Sequence, residues 1–366
     1  MGKYTVRPQR RGMIRCICLL LLTALLLGAA APAEVLAGNT IGDFTGELKL
    51  PAMSSTDITL SVGQTKTLKV AGVGRKLSWS SSKKSVAAVT DKGKVTAVGK
   101  GTATITARAG TRKYTCRVLV CQAASGSSEV DKKIQSVIRK KIKAGMTDAE
   151  KVKAVHDYIA LNCAYDYSNY LNGTIPHESY TAAGVLLKKK GVCQGYAEAF
   201  GLFMDALNIP CKIIRGTAGG GGHAWNLVKV NKKWYHIDVT WDDPVPDKKG
   251  YVRYSYFLIP DSVMDDDHTW TRSDYPKCTS GSDKFVKLLG SVSKTTAAAG
   301  KNLAKQYKKG SRTLTLIVPQ SAYRENSSFL FDAVQKMEEL LKTAVGRYSY
   351  RMNGYGSYLI FTVYLS

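Results

Sequence analysis

Three short blocks of sequence present a thiol, an imidazole and a carboxylate in a fixed order. The blocks are Gly191-Val192-Cys193-Gln194-Gly195-Tyr196, His223-Ala224-Trp225-Asn226 and Trp234-Tyr235-His236-Ile237-Asp238-Val239-Thr240-Trp241. A thiol attacks well only as a thiolate, which a nearby imidazole or a helix N-terminus stabilises, and the imidazole needs a third group to fix its tautomer. The fold must therefore bring Cys193, His223 and Asp238 together if they are to act as nucleophile, base and orienting acid.

The residues after the thiol predict a buried helix. Apolar side chains recur with helical spacing between Cys193 and Pro210, at Tyr196, Phe200, Phe203, Met204 and Leu207. Cys193 is thus expected at the first turn, where the helix dipole favours a thiolate.

The other two blocks predict a β-hairpin. Strands are expected at 224–230 and 234–240, joined by a tight turn at Asn231-Lys232, because Asn tolerates positive φ. This register places His223 and Asp238 on one face as diagonal neighbours within side-chain reach. A slip of one residue would send Asp238 to the other face.

Together with the following Asp242-Asp243-Pro244, these blocks resemble the transglutaminase-like superfamily of papain-type cysteine enzymes in its secreted bacterial form. The resemblance covers roughly residues 130–277 and implies a cleft between a helical half and a sheet half. It implies that Cys193 is the nucleophile, His223 the general base and then acid, and Asp238 the orienting carboxylate. The later Tyr256-Phe257-Leu258 and Asp267-His268 look like the closing segment of the family, which packs on the core.

The oxyanion hole departs from the papain pattern. Papain-type proteases place a Gln a few residues before the nucleophile, whereas the nearest upstream Gln here is Gln135. The backbone N–H of Cys193 remains one donor, and Tyr165 is a candidate for the second. Gln194 and Trp225 are expected at the wall of the cleft.

Three further histidines, His156, His177 and His236, are expected to have no catalytic role. His236 shares the predicted face of Asp238 and is interpreted as a structural or rim residue. His156, on a polar helix face, and His177, beside a proline in a loop, are expected to be solvated. No metal is expected, since neither Cys nor His residues show ligand spacing, and a thioester intermediate needs no cofactor.

The N-terminus predicts export. Five basic residues precede an uncharged run from Cys16 to Ala33, and small residues then offer cleavage after Ala33 or Ala37. Residues 1–37 are therefore interpreted as a signal peptide of a secreted or cell-surface bacterial protein. An uncleaved N-terminal anchor is the alternative, and no later stretch is expected to span a membrane.

The charge of the chain is strongly positive. There are 53 Lys and Arg against 28 Asp and Glu, and loss of residues 1–37 reduces the net charge from +25 to +21. An exported basic chain is attracted to anionic surfaces, so acidic polymers of the cell wall are candidate partners. The alternative is that the positive charge only keeps the protein soluble and binds no partner. Nucleic acid is not expected, because no aromatic and basic binding module is present.

The cysteines do not form an evident disulfide framework. Cys16 and Cys18 leave with the signal, and five cysteines besides Cys193 then remain, an odd number. A bridge between Cys163 and Cys211 stays open as an alternative.

Residues 54–121 resemble a bacterial Ig-like domain of the second group. The matching segments include Leu60-Ser61-Val62-Gly63-Gln64-Thr65, Trp79-Ser80-Ser81-Ser82 and Gly99-Lys100-Gly101-Thr102-Ala103-Thr104-Ile105. Short strands separated by Gly-containing turns predict an all-β sandwich. In such surface proteins it usually acts as a spacer or a wall-binding unit, and a spacer is favoured here.

The whole chain is predicted to be multidomain. A linker at 122–129 leads to an α+β transglutaminase-like catalytic domain at 130–280, in which Thr147-Asp148-Ala149-Glu150 is a capping box. A small α+β C-terminal module of unknown role follows at 285–366. Its pattern predicts strand 313–318, helix 328–342 and two strands joined at Asn353-Gly354, a β-α-β-β order.

The sequence favours an exported cysteine peptidase or amidase that acts on a protein or cell-wall peptide through a thioester. A non-catalytic adhesin or wall-binding scaffold is one alternative, and a protein cross-linking transglutaminase is another. Hydrolysis is preferred to cross-linking because Gly219-Gly220-Gly221-Gly222 indicates an open rim, and because a cationic chain repels a protonated amine.

Overall fold

The computed structural model describes residues 51–121, 128–247 and 250–365, and the predicted signal peptide and most of the predicted linker lie outside these ranges. Within them, no helix combines the length and hydropathy needed to span a bilayer. The chain is multidomain, as predicted: a β-rich region is followed by an α+β domain and a C-terminal module of helices and an antiparallel sheet.

Residues 51–121 form the predicted sandwich. Its strands are β1 Ala52–Met53, β2 Asp57–Ser61, β3 Thr65–Thr67, β4 Val70–Ala71, β5 Ser78–Ser81, β6 Ala87–Val89, β7 Lys94–Ala97, β8 Gly101–Ala109 and β9 Arg112–Cys121. The sheets β2-β9-β8-β5 and β3-β7-β6 enclose an apolar core, and alternate residues of β8 point into it. Gly93 is required at its turn: its φ is +76°, and a Cβ would lie 2.5 Å from the Leu68 carbonyl oxygen.

The helical half of the α+β domain surrounds the helix that Cys193 opens. It comprises α1 Glu129–Lys141, α2 Asp148–Asn162, β10 Ala164–Tyr165, α3 Tyr167–Asn172, β11 Lys190–Gly191 and α4 Cys193–Ala206. The apolar stripe of α4 is buried as predicted, and the capping box of Thr147 and Glu150 is confirmed at the start of α2. Burial of this stripe fixes α4 as the central helix of the domain.

The sheet half supplies the other two blocks. Its elements are β12 Cys211–Ala218, β13 Gly221–Val230, β14 Lys233–Ile237, α5 Val239–Asp242, β15 Phe257–Ile259, α6 Asp261–Met264, β16 His268–Thr269 and α7 Val286–Leu289. The antiparallel order is β15-β14-β13-β12-β16, so β13 lies at the centre. The segment predicted to close on the core does so, since Phe257, Leu258 and His268 are all buried.

The predicted hairpin forms with one correction. Asn231 and Lys232 have positive φ, and Val230 pairs with Lys233 as expected. The second strand ends at Ile237 rather than continuing to residue 240, because the side chain of Asp238 caps α5 and turns the chain away from the sheet. The pairing of β13 with β14 therefore stops at Asn226 and Ile237, and His223 pairs only on its other side, with Gly216 of β12.

The C-terminal module contains more helix than predicted. Its elements are α8 Thr296–Lys308, α9 Gln320–Glu325 and α10 Phe329–Leu341 with β17 Thr313–Pro319, β18 Tyr348–Tyr355 and β19 Tyr358–Leu365. Helices α8 and α10 pack with the sheet β17-β19-β18 around one apolar core. The prediction of a turn at Asn353-Gly354 is wrong. These two residues belong to β18 and pair with β19, and the turn between the strands lies at Gly356-Ser357.

Both flanking regions contact the α+β domain. The Asp57 carboxylate of the sandwich accepts the backbone N–H groups of Ala144 and Gly145 at 2.9 and 3.1 Å. From the C-terminal module, Asn353 Nδ2 donates to the Tyr251 hydroxyl at 3.0 Å. Asn353 also reaches the cavity beside Cys193, so the module contributes to the site.

Candidate active site

The structure brings the three expected residues to one place. Cys193 is the first residue of α4 and is half-buried, and His223 lies on the central strand β13. His223 Nε2 is 2.6 Å from Asp238 Oδ2, and Asp238 is fully buried. Because Nε2 faces the carboxylate, Nδ1 is the ring nitrogen left for Cys193, with which the imidazole interacts.

Asp238 accepts hydrogen bonds at both carboxylate oxygens. Oδ1 accepts the backbone N–H groups of Thr240 and Trp241 at 2.9 and 3.1 Å. Oδ2 faces His268 Nε2 at 3.2 Å in addition to His223. Four partners thus hold this side chain in one orientation.

The electrostatics favour a charged imidazole beside the thiol. Burial lowers the pKa of His223, but the Asp238 carboxylate and Cys193 outweigh it and raise this pKa to about 10. Burial likewise opposes ionisation of Asp238, yet its two histidine partners hold the pKa of the carboxyl well below its usual range. The arrangement is suited to a thiolate and imidazolium pair.

His268 is a site residue that sequence reasoning placed only in the closing segment. It is buried, with Nε2 on Asp238 and Nδ1 2.5 Å from Asp267 Oδ1. Its ring lies 4.6 Å from that of Trp241, between centroids. The Asp267-His268 pair was visible in the sequence, but no spacing rule joins it to Asp238, 30 residues earlier.

Cys193 and His223 line an open cavity of about 550 Å³, the cleft. Five aromatic residues face it: Tyr165, Tyr167, Tyr170, Trp241 and Tyr256. Tyr165 is thus placed near Cys193, and burial together with that cysteine raises the pKa of its hydroxyl, which stays a donor. Its part in an oxyanion hole remains a prediction.

The expected wall residues need correction. Trp225 lies beneath the cleft with 1% of its surface exposed, and its ring stacks on His223 at 5.9 Å between centroids. Gln194 is half-buried and is not among the residues that line the cleft. Trp241, also expected in the core or the cleft wall, does line the cleft, because the turn at Asp238 carries it over His223.

Family comparisons agree with this geometry. Residues 135–239 match the model of the transglutaminase-like superfamily, and residues 52–118 match that of the bacterial Ig-like domain (group 2). The chain carries a transglutaminase-like domain behind a bacterial Ig-like domain. The residues that the sequence predicts as nucleophile, base and orienting acid, Cys193, His223 and Asp238, all lie within the first matched range.

Individual relatives cover only parts of the chain. The human kyphoscoliosis peptidase is 26% identical over 139 residues, which are 33% of this chain and 21% of that protein. The chain thus spans about a fifth of the length of this relative. A crystal structure of a TGase is 24% identical and covers 33% of this chain and 32% of its own, with a TM-score of 0.28. The S-layer protein rSbsC(31-844) is 26% identical and covers 20% of this chain and 12% of its own, with a TM-score of 0.18.

The other three histidines of the transglutaminase-like domain are not among the residues that line the cleft. His236 is buried, and its ring nitrogens meet Trp225 Nε1 at 2.9 Å and Asp261 Oδ1 at 2.8 Å. His177 is exposed, as predicted. The solvated position expected for His156 is wrong: it is fully buried, 3.1 Å from Asp242 Oδ2, because α5 covers that face of α2.

Among the described residues, two groups of side chains have the donor types of a metal site. They are His223, Asp238 and His268, and His236, Asp261 and Cys278, each with ligand atoms within 4.8 Å of one another. Hydrogen bonds connect the members of each group, with Cys278 joined through its backbone N–H to Asp261 Oδ2. All six cysteines in the described ranges are free, so the bridge left open between Cys163 and Cys211 is not formed.

Asp243 is an unusual wall residue of the cleft. It is 2% exposed, and its Oδ2 accepts the Tyr196 hydroxyl at 2.6 Å, whereas Oδ1 is shielded from solvent and has no hydrogen-bond partner. Burial and the nearby Asp247 raise the pKa of Asp243 to about 7 against the opposing effects of Tyr196, His156 and Arg253.

Asp243→Asn should stabilise the protein in alkaline solution. The carboxyl ionises near pH 4 in the unfolded chain and near pH 7 in the folded protein. The free energy of unfolding of the wild type therefore falls as the pH rises from 4 to 7, and the whole loss is present above pH 7. We expect the variant to gain roughly 1–4 kcal/mol at pH 8 and little at pH 4. Urea unfolding at both pH values measures the difference, and an equal gain at pH 4 would contradict it.

Proposed function

We propose that the protein is an exported cysteine peptidase or amidase that cleaves an amide of a protein or cell-wall peptide through a thioester at Cys193. One observation carries the proposal: a half-buried thiol at a helix start faces an imidazole that a buried carboxylate orients, within an open cleft. The transglutaminase-like match supports acyl chemistry as the reaction class.

The proposed reaction has two halves. His223 Nδ1 takes the proton of Cys193, and the thiolate attacks the amide carbonyl. The backbone N–H of Cys193 and the Tyr165 hydroxyl donate to the developing oxyanion. The imidazolium then protonates the departing amine, which leaves a thioester. Water, deprotonated by His223, attacks the thioester and releases a carboxylic acid and the thiol.

Water is favoured as the acyl acceptor because the rim of the cleft is open. Gly219, Gly221 and Gly222 line it without side chains that could shield the thioester. Cross-linking requires that an amine outcompete water, which needs a shielded site. The alternative, an adhesin or wall-binding scaffold, gives no reason for three further partners to hold Asp238 against the base His223.

Incubation of the purified protein with a library of peptide amides and a labelled primary amine tests the proposal. Intact mass spectrometry should detect an acyl adduct on Cys193, and free acid should exceed amine conjugate at millimolar amine. Absence of an adduct with every donor would favour the scaffold, and dominant conjugation would favour cross-linking.

Export makes a separate prediction. We expect the mature chain to begin at Glu34 or Gly38 and to be recovered outside the cytoplasmic membrane, where its net charge favours contact with acidic wall polymers. N-terminal sequencing of the native protein measures this. Persistence of Met1 would instead mean that the apolar run tethers the cleft near the bilayer.

A further inference from the structure

The composition of the cleft differs from that of the chain around it. Lys and Arg outnumber Asp and Glu by 53 to 28 over the whole sequence. The residues that line the cleft nevertheless include one carboxylate, Asp243, one guanidinium, Arg253, and no lysine. In the described residues no contact ion pair joins these two, although the charges of Arg253 and His156 favour the ionised form of the carboxyl.

The Asp243 carboxylate is prepared for a further donor. The Tyr196 hydroxyl fixes Oδ2 at 2.6 Å, so the group cannot turn to satisfy its other oxygen. Oδ1 is buried without a partner, which is an unfavourable state for an acceptor. A ligand that brings an N–H group to this wall would supply the missing hydrogen bond, and a shift of the wall must accompany its entry because Oδ1 is shielded in the free protein.

The other lining side chains indicate which donor fits. Tyr165, Tyr167 and Tyr170 stand on one side of the cleft, and Trp241 and Tyr256 line it as well. Tyr167 and Tyr170 are 46% and 53% exposed, so core packing does not explain them. Aromatic faces attract cations, and together with a carboxylate they form a site for an ammonium group.

We propose that the cleft binds a primary ammonium group of the acyl donor, with Asp243 Oδ1 as its counter-ion and the aromatic side chains around it. The assignment to the acyl donor rests on the proposed function, in which water is the acceptor. Entry of a cation also favours the ionised carboxyl, whose pKa burial has raised to about 7. Asp243 is thus a specificity-determining residue, separate from the catalytic groups.

Alkylation of Cys193 tests the ammonium site without any turnover. Wild-type protein is treated with iodoacetamide at pH 7, and the modified Cys193 peptide is quantified by mass spectrometry. We expect saturating n-butylammonium chloride to slow this modification by about threefold or more, whereas n-butanol at the same concentration and ionic strength does not. Asp243→Asn should abolish the protection. Asp247→Asn, which removes the same charge from an exposed position in the same loop, should keep it.

Equal effects of the ammonium and the alcohol would overturn the proposal, and so would unchanged protection in folded Asp243→Asn protein. If that variant does not fold, the comparison of the two ligands in wild-type protein still decides. This assay needs only a free thiol, so it reports on the ammonium site even where no donor yields an acyl-enzyme and the proposed function fails.

Matched substrates identify the source of the ammonium group. Peptide amides with a free primary amine should be cleaved with a kcat/KM about tenfold or more above that of their acetylated counterparts, and Asp243→Asn should remove the preference. If acetylation has no effect, while incorporation of n-butylamine saturates and is lost in Asp243→Asn, the assignment to the acyl donor is overturned.

Discussion

Replacement of Cys193 by alanine is expected to lower kcat/KM by more than about 10³-fold and to leave the fold unchanged. The substitution removes the sulfur atom that forms the thioester. Little packing is lost, because Cys193 is half-buried at the first turn of α4 and faces the cleft. Product formation from a peptide amide measures turnover, and circular dichroism with a thermal melt checks the fold.

Cys211→Ala is the matched control for this prediction. Cys211 is also a free, half-buried cysteine, but it lies on β12 and does not line the cleft. Its loss should keep turnover within about twofold of the wild-type value. Wild-type rates in folded Cys193→Ala protein would refute the assignment of the nucleophile and, with it, the proposed thioester.

The position of the nucleophile could be predicted because it depends on local periodicity. The apolar stripe that follows Cys193 defines which face of α4 is buried, and so where the helix begins. The turn at Asn231-Lys232 was equally local, since positive φ at both residues needs suitable turn chemistry. The start of α4 and the turn after β13 were thus both predictable from local sequence.

The surroundings of Asp238 were harder to predict because its hydrogen-bond partners come from several segments of the chain. A strand pattern continues past Ile237, yet the Asp238 side chain caps α5 and ends the strand. His268 reaches the same carboxylate from β16, and no periodicity in the sequence reports such a contact. Burial of His156 was missed for the same reason, since its partner Asp242 lies on another helix.

A turn motif misled the prediction of the C-terminal module. Asn353-Gly354 has the composition of a two-residue hairpin turn, but both residues pair with β19. The actual turn has Gly356 at φ +54°, and Tyr355 pairs with Tyr358 across it. The side chain of Tyr355 is buried, which requires this register, because a slip would expose it.

Asp238→Asn is expected to reduce kcat/KM by roughly 10³-fold, the same order as His223→Ala. Sequence reasoning alone favours a milder effect, since an amide oxygen can accept the imidazole N–H, as in Cys-His-Asn enzymes. The structure argues otherwise, because Asp238 uses both oxygens as acceptors. An asparagine has one oxygen, and the backbone N–H groups of Thr240 and Trp241 require it.

In the Asp238→Asn variant, the amide nitrogen of the new side chain would then face His223 Nε2. That ring nitrogen could only accept, so the imidazole proton would move to Nδ1, the atom that must act as base toward Cys193. The pKa of His223 should also fall from about 10, since the carboxylate that raises it is gone and burial lowers it. Alkylation of Cys193 at pH 7 should slow accordingly, because an imidazolium no longer stabilises the thiolate.

The pH dependence of Cys193 alkylation separates this mechanism from simple loss of structure. In the wild type, the imidazolium should persist until the pH approaches 10, whereas in Asp238→Asn it should be lost at a lower pH. Asp266→Asn changes the same charge at an exposed position and should leave the profile unmoved. Retention of a tenth or more of wild-type turnover in Asp238→Asn would contradict the prediction. The amide oxygen would then face His223, and the amide nitrogen would lie against the backbone N–H groups of Thr240 and Trp241. The carboxylate would then orient the imidazole without fixing its tautomer.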